Sequence, residues 1–358
     1  MLAYLRALVL IFVGLAGMVY LIPAAPMTGD GQHYIEFVRN NLQHGASSWH
    51  ERRLLGPLIV RALPMDAQDG FFVLTTLSLA LTALLTWLAA RELIDDEIRA
   101  LASIPLLFGT WVVAPNLREF GLVDPLAWVF VAAIWVATLR KKWLLAAALG
   151  AVGVVAKEVV ALAALAAAAA AFDRRQPAKA LGVAAPALLV VLLLTLLFPG
   201  SGTDAGAYVF DWVRKGLFSN GVGQAVFLLF ASYGALWPLL PKGFSALPKP
   251  MRRAAMVFLV AAILLPLVGS PERMEEAIFP LVVSAALLAT RSQNLLIIWA
   301  LALGNVVFAA RIGGSARIPS ILAWAGLAVA CALALWNYVA PSVRGLRRWP
   351  RSPSAVRR

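Results

Sequence analysis

A succession of long apolar runs, separated by short charged connectors, constrains this chain more than any other feature. The runs recur from Leu5 to Val339, and the mean hydropathy over all 358 residues is +0.82. A water-soluble chain of this length could not bury so much apolar surface. The 12 Trp favour the same conclusion, because tryptophan collects at membrane interfaces. The sequence therefore predicts an all-α polytopic membrane protein.

The spacing of the runs predicts about twelve transmembrane helices, since one span requires about 20 apolar residues and a re-entrant segment fewer. Within 143–172 the only polar interruption is Lys157-Glu158, so two short helices or one long tilted helix both fit. The run 5–21 could be a signal peptide, but two prolines follow it closely and we interpret it as a retained first helix. The expected spans are 4–22, 70–91, 101–117, 122–139, 143–156, 159–172, 180–198, 222–240, 253–268, 277–290, 294–310 and 318–339.

The net charge of +13 comes mostly from basic residues in short connectors, which the positive-inside rule explains better than nucleic-acid binding. The same rule predicts that both termini are cytoplasmic. Residues 1–340 then form a single transmembrane domain with a long outer loop at 23–69. The basic tail 341–358 is predicted to be disordered and attracted to anionic lipid. Cys331 is the single cysteine, which excludes a disulfide framework or a cysteine metal site.

The first outer loop concentrates titratable groups, including all three histidines of the chain. It contains Gly29-Asp30-Gly31-Gln32-His33-Tyr34, and the segments 32–42 and 53–63 each place their apolar residues on one helical face. We expect two amphipathic helices lying on the membrane surface there, and a third interfacial segment at 199–221. Because most of the acidic residues and all three histidines are expected on the outer side, any chemistry is predicted to be extracytoplasmic.

Asp30 could act as a general base towards an acceptor hydroxyl, since the flanking glycines let backbone and ligand approach closely. A turn aspartate that caps the next helix is the alternative. Arg52 and Arg53 could bind a phosphate through paired guanidinium donors, or could extend to lipid head groups as interfacial arginines.

Four further polar segments interrupt the apolar pattern. Asp124 begins an apolar helix, where its carboxylate could interact favourably with the N-terminal end of the helix dipole or could belong to a functional site. Lys157-Glu158 stands inside an apolar stretch, and ionisable residues there indicate function unless the two charges neutralise each other at a turn. The other two are the outer connectors containing Arg118-Glu119 and Arg273, which could contact substrate or could be ordinary charged turns.

A metal site has little support, because His33, His44 and His50 lack the i, i+4 spacing of a helical histidine pair. No cofactor is expected, although a divalent metal stays possible. The chain also contains no Gly-x-Ser-x-Gly elbow, so a serine hydrolase is not expected.

In their order, these segments resemble the GT-C superfamily of membrane glycosyltransferases, which use polyprenyl-phosphate sugars at the outer face. Gly-Asp-Gly-Gln-His-Tyr is similar to the acidic first-loop motif of its mannosyltransferases, and Arg53-Leu-Leu-Gly-Pro-Leu to the start of their next surface helix. Leu122-Val123-Asp124-Pro125, Ala156-Lys157-Glu158 and the pair Arg273 and Phe279-Pro280 resemble later motifs. The family often carries a second acid where this chain has Gly31, so the resemblance is incomplete at the position next to Asp30, the candidate general base.

The resemblance implies a GT-C-like fold and inverting transfer of a mannose-like hexose or pentose to a glycan, lipid or protein acceptor. Asp30 would be the base, with His33 and Asp124 as further candidate catalytic residues. The donor phosphate would be held by Arg52, Arg53, Lys157 or Arg273. Substrate contacts would fall to Tyr34, Arg118, Glu119 and Glu158. The alanine-rich, basic composition suggests a bacterial inner membrane.

Two other functions stay open at the level of sequence. A transporter or lipid flippase of the cell envelope would also use broken helices and intramembrane charges, although no inverted repeat is visible. A membrane acyltransferase could use His33 as its base.

Overall fold

The computed structural model describes residues 2–25, 29–42, 51–198, 222–264 and 276–346 of the chain. Within these ranges the regular structure is helical. The α-helices are α1 Leu2–Leu21, α2 Gly29–Arg39, α3 Leu55–Ala62, α4 Ala67–Leu93, α5 Glu97–Leu101, α6 Ser103–Phe108, α7 Ala114–Arg118, α8 Asp124–Leu139, α9 Trp143–Ala156, α10 Val160–Ala171, α11 Pro177–Leu197, α12 Val222–Tyr233, α13 Leu240–Ala246, α14 Lys249–Leu264, α15 Phe279–Thr290, α16 Leu295–Ile312 and α17 Ser320–Leu346. Short 3-10 helices occupy Gly234–Leu239 and Glu276–Ile278.

Five of these helices are long and apolar enough to cross a membrane: α1, α4, α11, α16 and α17 up to Val339. Shorter apolar helices accompany them at Asp124–Leu139, Trp143–Ala156, Val160–Ala171 and Glu276–Thr290. Large apolar side chains on the outside of the bundle, such as Phe12, Leu144 and Ile321, are 74–89% exposed. Such a surface is stable in lipid and not in water. The protein is therefore an integral membrane protein built from helices.

Most predicted spans coincide with helices, but the predicted span 101–117 is wrong as one continuous helix. Three short helices, α5 to α7, replace it. The first break falls at Ala102 and the second begins at Gly109, and a proline stands within the first two positions of α7. Proline lacks an amide donor and glycine weakens a helix, so a run of apolar composition need not remain one helix. The final helix also continues to Leu346, beyond the start of the predicted tail, and residues 347–358 lie outside the described ranges.

Helices α8 to α11 pack against one another and against two further helices. Helix α8 packs on α4 and α9, and α10 and α11 pack on each other, with α14 against α10. Alanine and glycine at these contacts let the backbones approach closely, as at Gly150, whose added Cβ would lie 3.0 Å from the Ala164 Cβ. Small residues are the usual means of helix association in lipid.

The two predicted amphipathic helices of the first loop are present as α2 and α3. Their apolar faces form a small separate core with the start of α4 and the segment before α8. The members of that core are Tyr34, Ile35, Val38, Val60, Ala67, Phe71, Phe120 and Val123. Arg39 donates to both carboxylate oxygens of Asp66, the N-cap of α4, at 3.2 and 3.0 Å. The first loop is thus held against the bundle by packing and by an ion pair.

Asn305, in the middle of α16, connects two helix breaks. Its amide nitrogen donates to the carbonyl oxygens of Gly109 and Tyr233 at 2.5 and 3.2 Å. Its side-chain oxygen accepts from the amide of Ala235 at 2.9 Å. Gly234, between Tyr233 and Ala235, has φ +50°, a conformation in which a residue with a side chain is strained. Inside lipid every backbone polar group needs a partner, and one buried amide supplies three.

Candidate active site

Asp30 occupies the first turn of α2, at the point where the first loop meets the bundle. Gly29 begins the helix with φ +55°, a conformation that favours glycine. This explains the glycine directly before Asp30. Gly31 packs against Gly121, where an added Cβ would lie only 2.8 Å from the Gly31 Cα. Asp30 itself is half-buried. The two glycines bring the carboxylate-bearing turn against the segment that leads into α8.

Tyr34 lies one helical turn after Asp30 and joins α2 to Arg53. It is fully buried, and its hydroxyl oxygen accepts from Arg53 Nη1 at 3.2 Å. Burial raises the pKa of the Tyr34 hydroxyl well above its ordinary value, against the opposing effect of Arg53. The charges of Asp124 and Asp30 add to this rise in pKa. Tyr34 is therefore neutral at physiological pH, and both carboxylates are close enough to act on it.

Arg53 binds Glu158 through two N–H groups. Its Nε and Nη2 donate to the two carboxylate oxygens at 3.0 and 2.5 Å, a two-point geometry that carboxylates and guanidinium groups share. The Arg53 side chain is 14% exposed and that of Glu158 46%. Burial alone would lower the pKa of Arg53, but the charge of Glu158 raises it well above its ordinary value. Arg53 is therefore a fixed cation held inside the protein. It does not extend to lipid head groups, as an interfacial arginine would.

Lys157 forms an ion pair with Asp124 rather than with its neighbour Glu158. Its ammonium donates to Asp124 Oδ1, and both side chains are almost fully buried. The ammonium also lies 5.6 Å from the ring centroid of Trp128, one turn after Asp124 on α8. The alternative in which Lys157 and Glu158 neutralise each other is therefore wrong. Each binds a residue that is distant in the sequence.

Glu276 bonds to Trp128, the residue beside the Lys157 ammonium. The sequence alone did not identify Glu276 as a site residue. The Glu276 side chain is buried and accepts from Trp128 Nε1 at 2.8 Å and from Asn116 Nδ2 at 3.2 Å. Its backbone carbonyl accepts from the Tyr233 hydroxyl at 3.3 Å. A usable signal existed, because an acid directly before the apolar run 277–290 is costly unless it is paired. Asn116, inside an apolar stretch, carried the same signal.

Arg52 connects this site to the end of α11. Its Nε and Nη2 donate to the carbonyl oxygen of Phe198 at 3.0 and 2.8 Å. The carbonyls at a helix C-terminus carry partial negative charge, which suits a guanidinium. Arg52 is thereby placed beside Arg53, at the point where the chain leaves α11.

The other predicted site residues are not bonded to this cluster by any contact described above, or lie outside the described part of the chain. His33 is exposed on α2, and Glu119 follows α7 in a half-buried turn. Arg118 is exposed and lies against Gly314, where an added Cβ would be 2.6 Å from Arg118 Nη1. In the described ranges no three metal-binding side chains come together. The residues outside those ranges are His44, His50, Arg273 and the predicted interfacial segment 199–221.

The polar residues brought together here define the first-loop cluster: Asp30, Tyr34, Arg53, Asp124, Lys157 and Glu158. Three carboxylates meet two cations, and both cations are bound to carboxylates. Asp30, on the first turn of α2, is half-buried, whereas Asp124 is fully buried and Glu158 is exposed. Such a cluster can hold one carboxylate ready to accept a proton while paired charges fix the surrounding helices.

Comparison with known proteins gives one match. No family model matches the chain, and no curated protein matches it. Among solved structures, the chain is similar to the oligosaccharyltransferase of Archaeoglobus fulgidus, crystallised with a tethered acceptor peptide, with 13% identity and a TM-score of 0.48. The alignment covers 95% of this chain and 55% of that one. The chain thus spans about half the length of the oligosaccharyltransferase.

Proposed function

We propose that this chain is a membrane glycosyltransferase that moves a sugar from a polyprenyl-phosphate donor to an acceptor hydroxyl. The observation that carries the proposal is the first-loop cluster. Residues from four separate segments, around 30–34, 53, 124 and 157–158, meet there by direct bonds or through the charges that act on Tyr34. These are the segments whose order resembles the GT-C superfamily, and the resemblance did not require that they meet in space.

Asp30 is the proposed general base. The acceptor hydroxyl gives its proton to the Asp30 carboxylate while its oxygen forms a bond to the anomeric carbon of the sugar. The bond between that carbon and the phosphate oxygen breaks, and polyprenyl phosphate leaves with the electron pair. A single displacement of this kind inverts the anomeric centre. His33 and Asp124 are secondary candidates, and the buried pairing of Asp124 with Lys157 suits it to positioning rather than proton transfer.

Binding of the leaving phosphate is proposed for Arg52, with Arg273 as a second candidate. A guanidinium matches phosphate oxygens in pairs, and fixed positive charge lowers the cost of the developing negative charge. Arg53 and Lys157 were equal candidates from the sequence, and their bonds to Glu158 and Asp124 give them a structural role as well. We assign them the neutralisation of Glu158 and Asp124, which keeps the cluster assembled. Tyr34, Arg118, Glu119 and Glu158 stay as proposed substrate contacts.

The donor, acceptor and location follow the same proposal. A mannose-like hexose or pentose on a polyprenyl phosphate would enter from lipid, and the acceptor would be a glycan, lipid or protein hydroxyl. With both termini cytoplasmic, the first-loop cluster faces the extracytoplasmic side of a bacterial inner membrane. No metal or other cofactor is assigned to the reaction.

The test is transfer of radiolabelled sugar from polyprenyl-phosphate donors in membranes that contain the full chain. Asp30→Asn keeps the shape of the side chain and removes the base, so the rate should fall by about 10²–10⁴. Asp69→Asn is the matched control, because Asp69 is an exposed acid in the first turn of α4 and lies outside the first-loop cluster. That variant should transfer as the parent does.

The assay also separates the rival function. If the parent transfers no sugar from any donor but moves a labelled lipid across vesicles, the chain is a flippase and the proposal fails. If Asp30→Asn transfers as well as the parent at equal expression, the reaction does not use Asp30 and the base is elsewhere.

A further inference from the structure

A groove between α16 and α17 combines an arginine with an aromatic wall at the ends of two candidate spans. Its volume is about 330 Å³, and it is open on one side. Arg311 lies in the last turn of α16, and Ser320 is the first residue of α17. The residues that line this groove, called the Arg311 groove here, are Phe308, Arg311, Ile312, Ser320, Ala323 and Trp324.

Arg311 is held in place by neutral partners. Its Nη1 donates to the carbonyl oxygen of Ser315 at 2.8 Å, and its Nε and Nη2 donate to Ser320 Oγ at 3.2 and 3.0 Å. Among the described residues no carboxylate lies within ion-pair distance of Arg311. Three donors are used in these bonds, and a guanidinium has five. The groove therefore contains an oriented positive charge with donors to spare, and the N-terminus of α17 adds partial positive charge.

The rest of the groove is apolar. Phe308 is buried and its ring meets that of Trp324 edge-on, with centroids 5.4 Å apart. Trp324 itself is 52% exposed, so it forms an outer wall of the groove that faces lipid. Tryptophan near the end of a span lies at head-group depth in a bilayer. An occupant must then be anionic at one end, apolar at the other, and partly outside the groove.

We infer that the Arg311 groove binds an anionic phospholipid of the bilayer, with its phosphate on Arg311 and the start of an acyl chain along Phe308 and Trp324. A volume of about 330 Å³ takes a phosphate and the first carbons of a chain but not a whole lipid, and the open side lets the remainder stay in the membrane. Charge complementarity selects an anionic head group over a zwitterionic one. This site shares no residue with the first-loop cluster, and the inference does not rest on the proposed function.

The experiment measures how many lipids the purified full-length protein retains, by native mass spectrometry after titration with dioleoyl phosphatidylglycerol or dioleoyl phosphatidylcholine. The parent should bind one phosphatidylglycerol more tightly than phosphatidylcholine. Arg311→Gln should weaken that binding by about tenfold, because a charge-assisted pair is lost. Arg317→Gln is the matched control, since Arg317 lies near the same ends of the spans but stacks on Tyr20, 3.9 Å from its ring centroid. It should change the affinity by less than about twofold.

Other outcomes would overturn the assignment. Equal loss in Arg311→Gln and Arg317→Gln means a diffuse charge effect, and no loss in either means that Arg311 binds no lipid. Displacement of phosphatidylglycerol by equimolar polyprenyl phosphate assigns the groove to that lipid instead, and displacement by inorganic phosphate removes the need for a lipid. If Arg311→Gln does not fold, Trp324→Ala should weaken phosphatidylglycerol binding, and unchanged binding in that variant contradicts the proposal.

Discussion

Arg53 and Glu158 are 105 positions apart in the sequence and form a two-point ion pair, with N–O distances of 3.0 and 2.5 Å. One partner precedes α3 in the first loop, and the other lies in the break between α9 and α10. The pair therefore fixes the first loop on the interruption of an apolar segment. Tyr34 bonds to the same guanidinium, so α2 is held at the same point.

Glu158→Gln should destabilise the protein. The variant leaves the guanidinium of Arg53, only 14% exposed, without its counter-charge. The loss should be about 1–3 kcal/mol in the free energy of unfolding, between the values for exposed and for buried pairs. Thermal unfolding of the purified protein in detergent measures it. Glu92→Gln, which breaks the more exposed pair with Arg140, is the control and should cost under about 1 kcal/mol. Equal losses in the two variants would mean that the burial of Arg53 does not determine the cost.

Lys157→Met should be more harmful, because it removes the counter-charge that the buried carboxylate of Asp124 binds within an apolar bundle. Removal of one partner of a buried pair costs about 3–5 kcal/mol. The double variant Lys157→Met with Asp124→Leu should recover part of this loss, because two apolar side chains replace two charges. The yield of folded protein and its unfolding temperature measure both. A double variant no more stable than Lys157→Met alone would mean that the pair is not the reason for the loss.

Gly121→Ala should push α2 away from the segment before α8. The new Cβ would lie 2.8 Å from the Cα of Gly31, and backbone cannot yield as the end of a side chain can. Overpacking of this kind costs about 1–3 kcal/mol, and under the proposed function transfer should fall because Asp30 moves with α2. Gly182→Ala is the control, since nothing lies within 4 Å of an added Cβ there, and it should be neutral or slightly stabilising. A Gly121→Ala protein as stable and active as Gly182→Ala would exclude the close contact.

Asp66 should make stability depend on pH in the acid range. The amide of Gln68 donates to its carboxylate and Arg39 pairs with it, and together they hold the pKa of Asp66 below its usual value. A carboxyl whose pKa is lower in the folded state contributes stability above its unfolded pKa, near 3.9, and loses it as the pH falls through the folded value. The unfolding temperatures of the parent and Asp66→Asn should therefore differ at pH 7, and the difference should shrink as the pH falls below about 4. A difference that stays constant from pH 7 to pH 3 would contradict this.

The sequence was sufficient for the positions of most helices and for the list of polar residues that interrupt them. Apolar runs and their charged ends determined where α1, α4 and α8 to α11 lie within a few residues. The period of the apolar residues in 32–42 and 53–63 predicted α2 and α3. The apolar composition of 101–117 did not predict the breaks in that segment, because hydropathy does not register the effect of glycine and proline on backbone hydrogen bonding.

The partners of the charged residues could not be obtained in the same way. From the sequence, Lys157 could be neutralised by its neighbour Glu158, since adjacent opposite charges are the simplest arrangement. In the folded chain the two side chains point to different elements, and their partners come from α8 and from the first loop. Glu276 was missed for a related reason. Its partners Asn116 and Trp128 are 160 and 148 positions away, and only the packing of helices brings them together.

The three bonds of Asn305 have a consequence for the order in which the chain is completed during synthesis. Gly109 and Tyr233 leave the ribosome long before Asn305, yet their carbonyl groups are satisfied by its amide. Until α16 enters the membrane, both breaks present backbone groups without this partner. Before α16 is inserted, water or other polar groups must form hydrogen bonds to these carbonyl groups. Insertion of α16 replaces those bonds with the bonds to Asn305. A chain truncated before Asn305 should accordingly be recognised as unfinished by the quality-control proteases of its membrane.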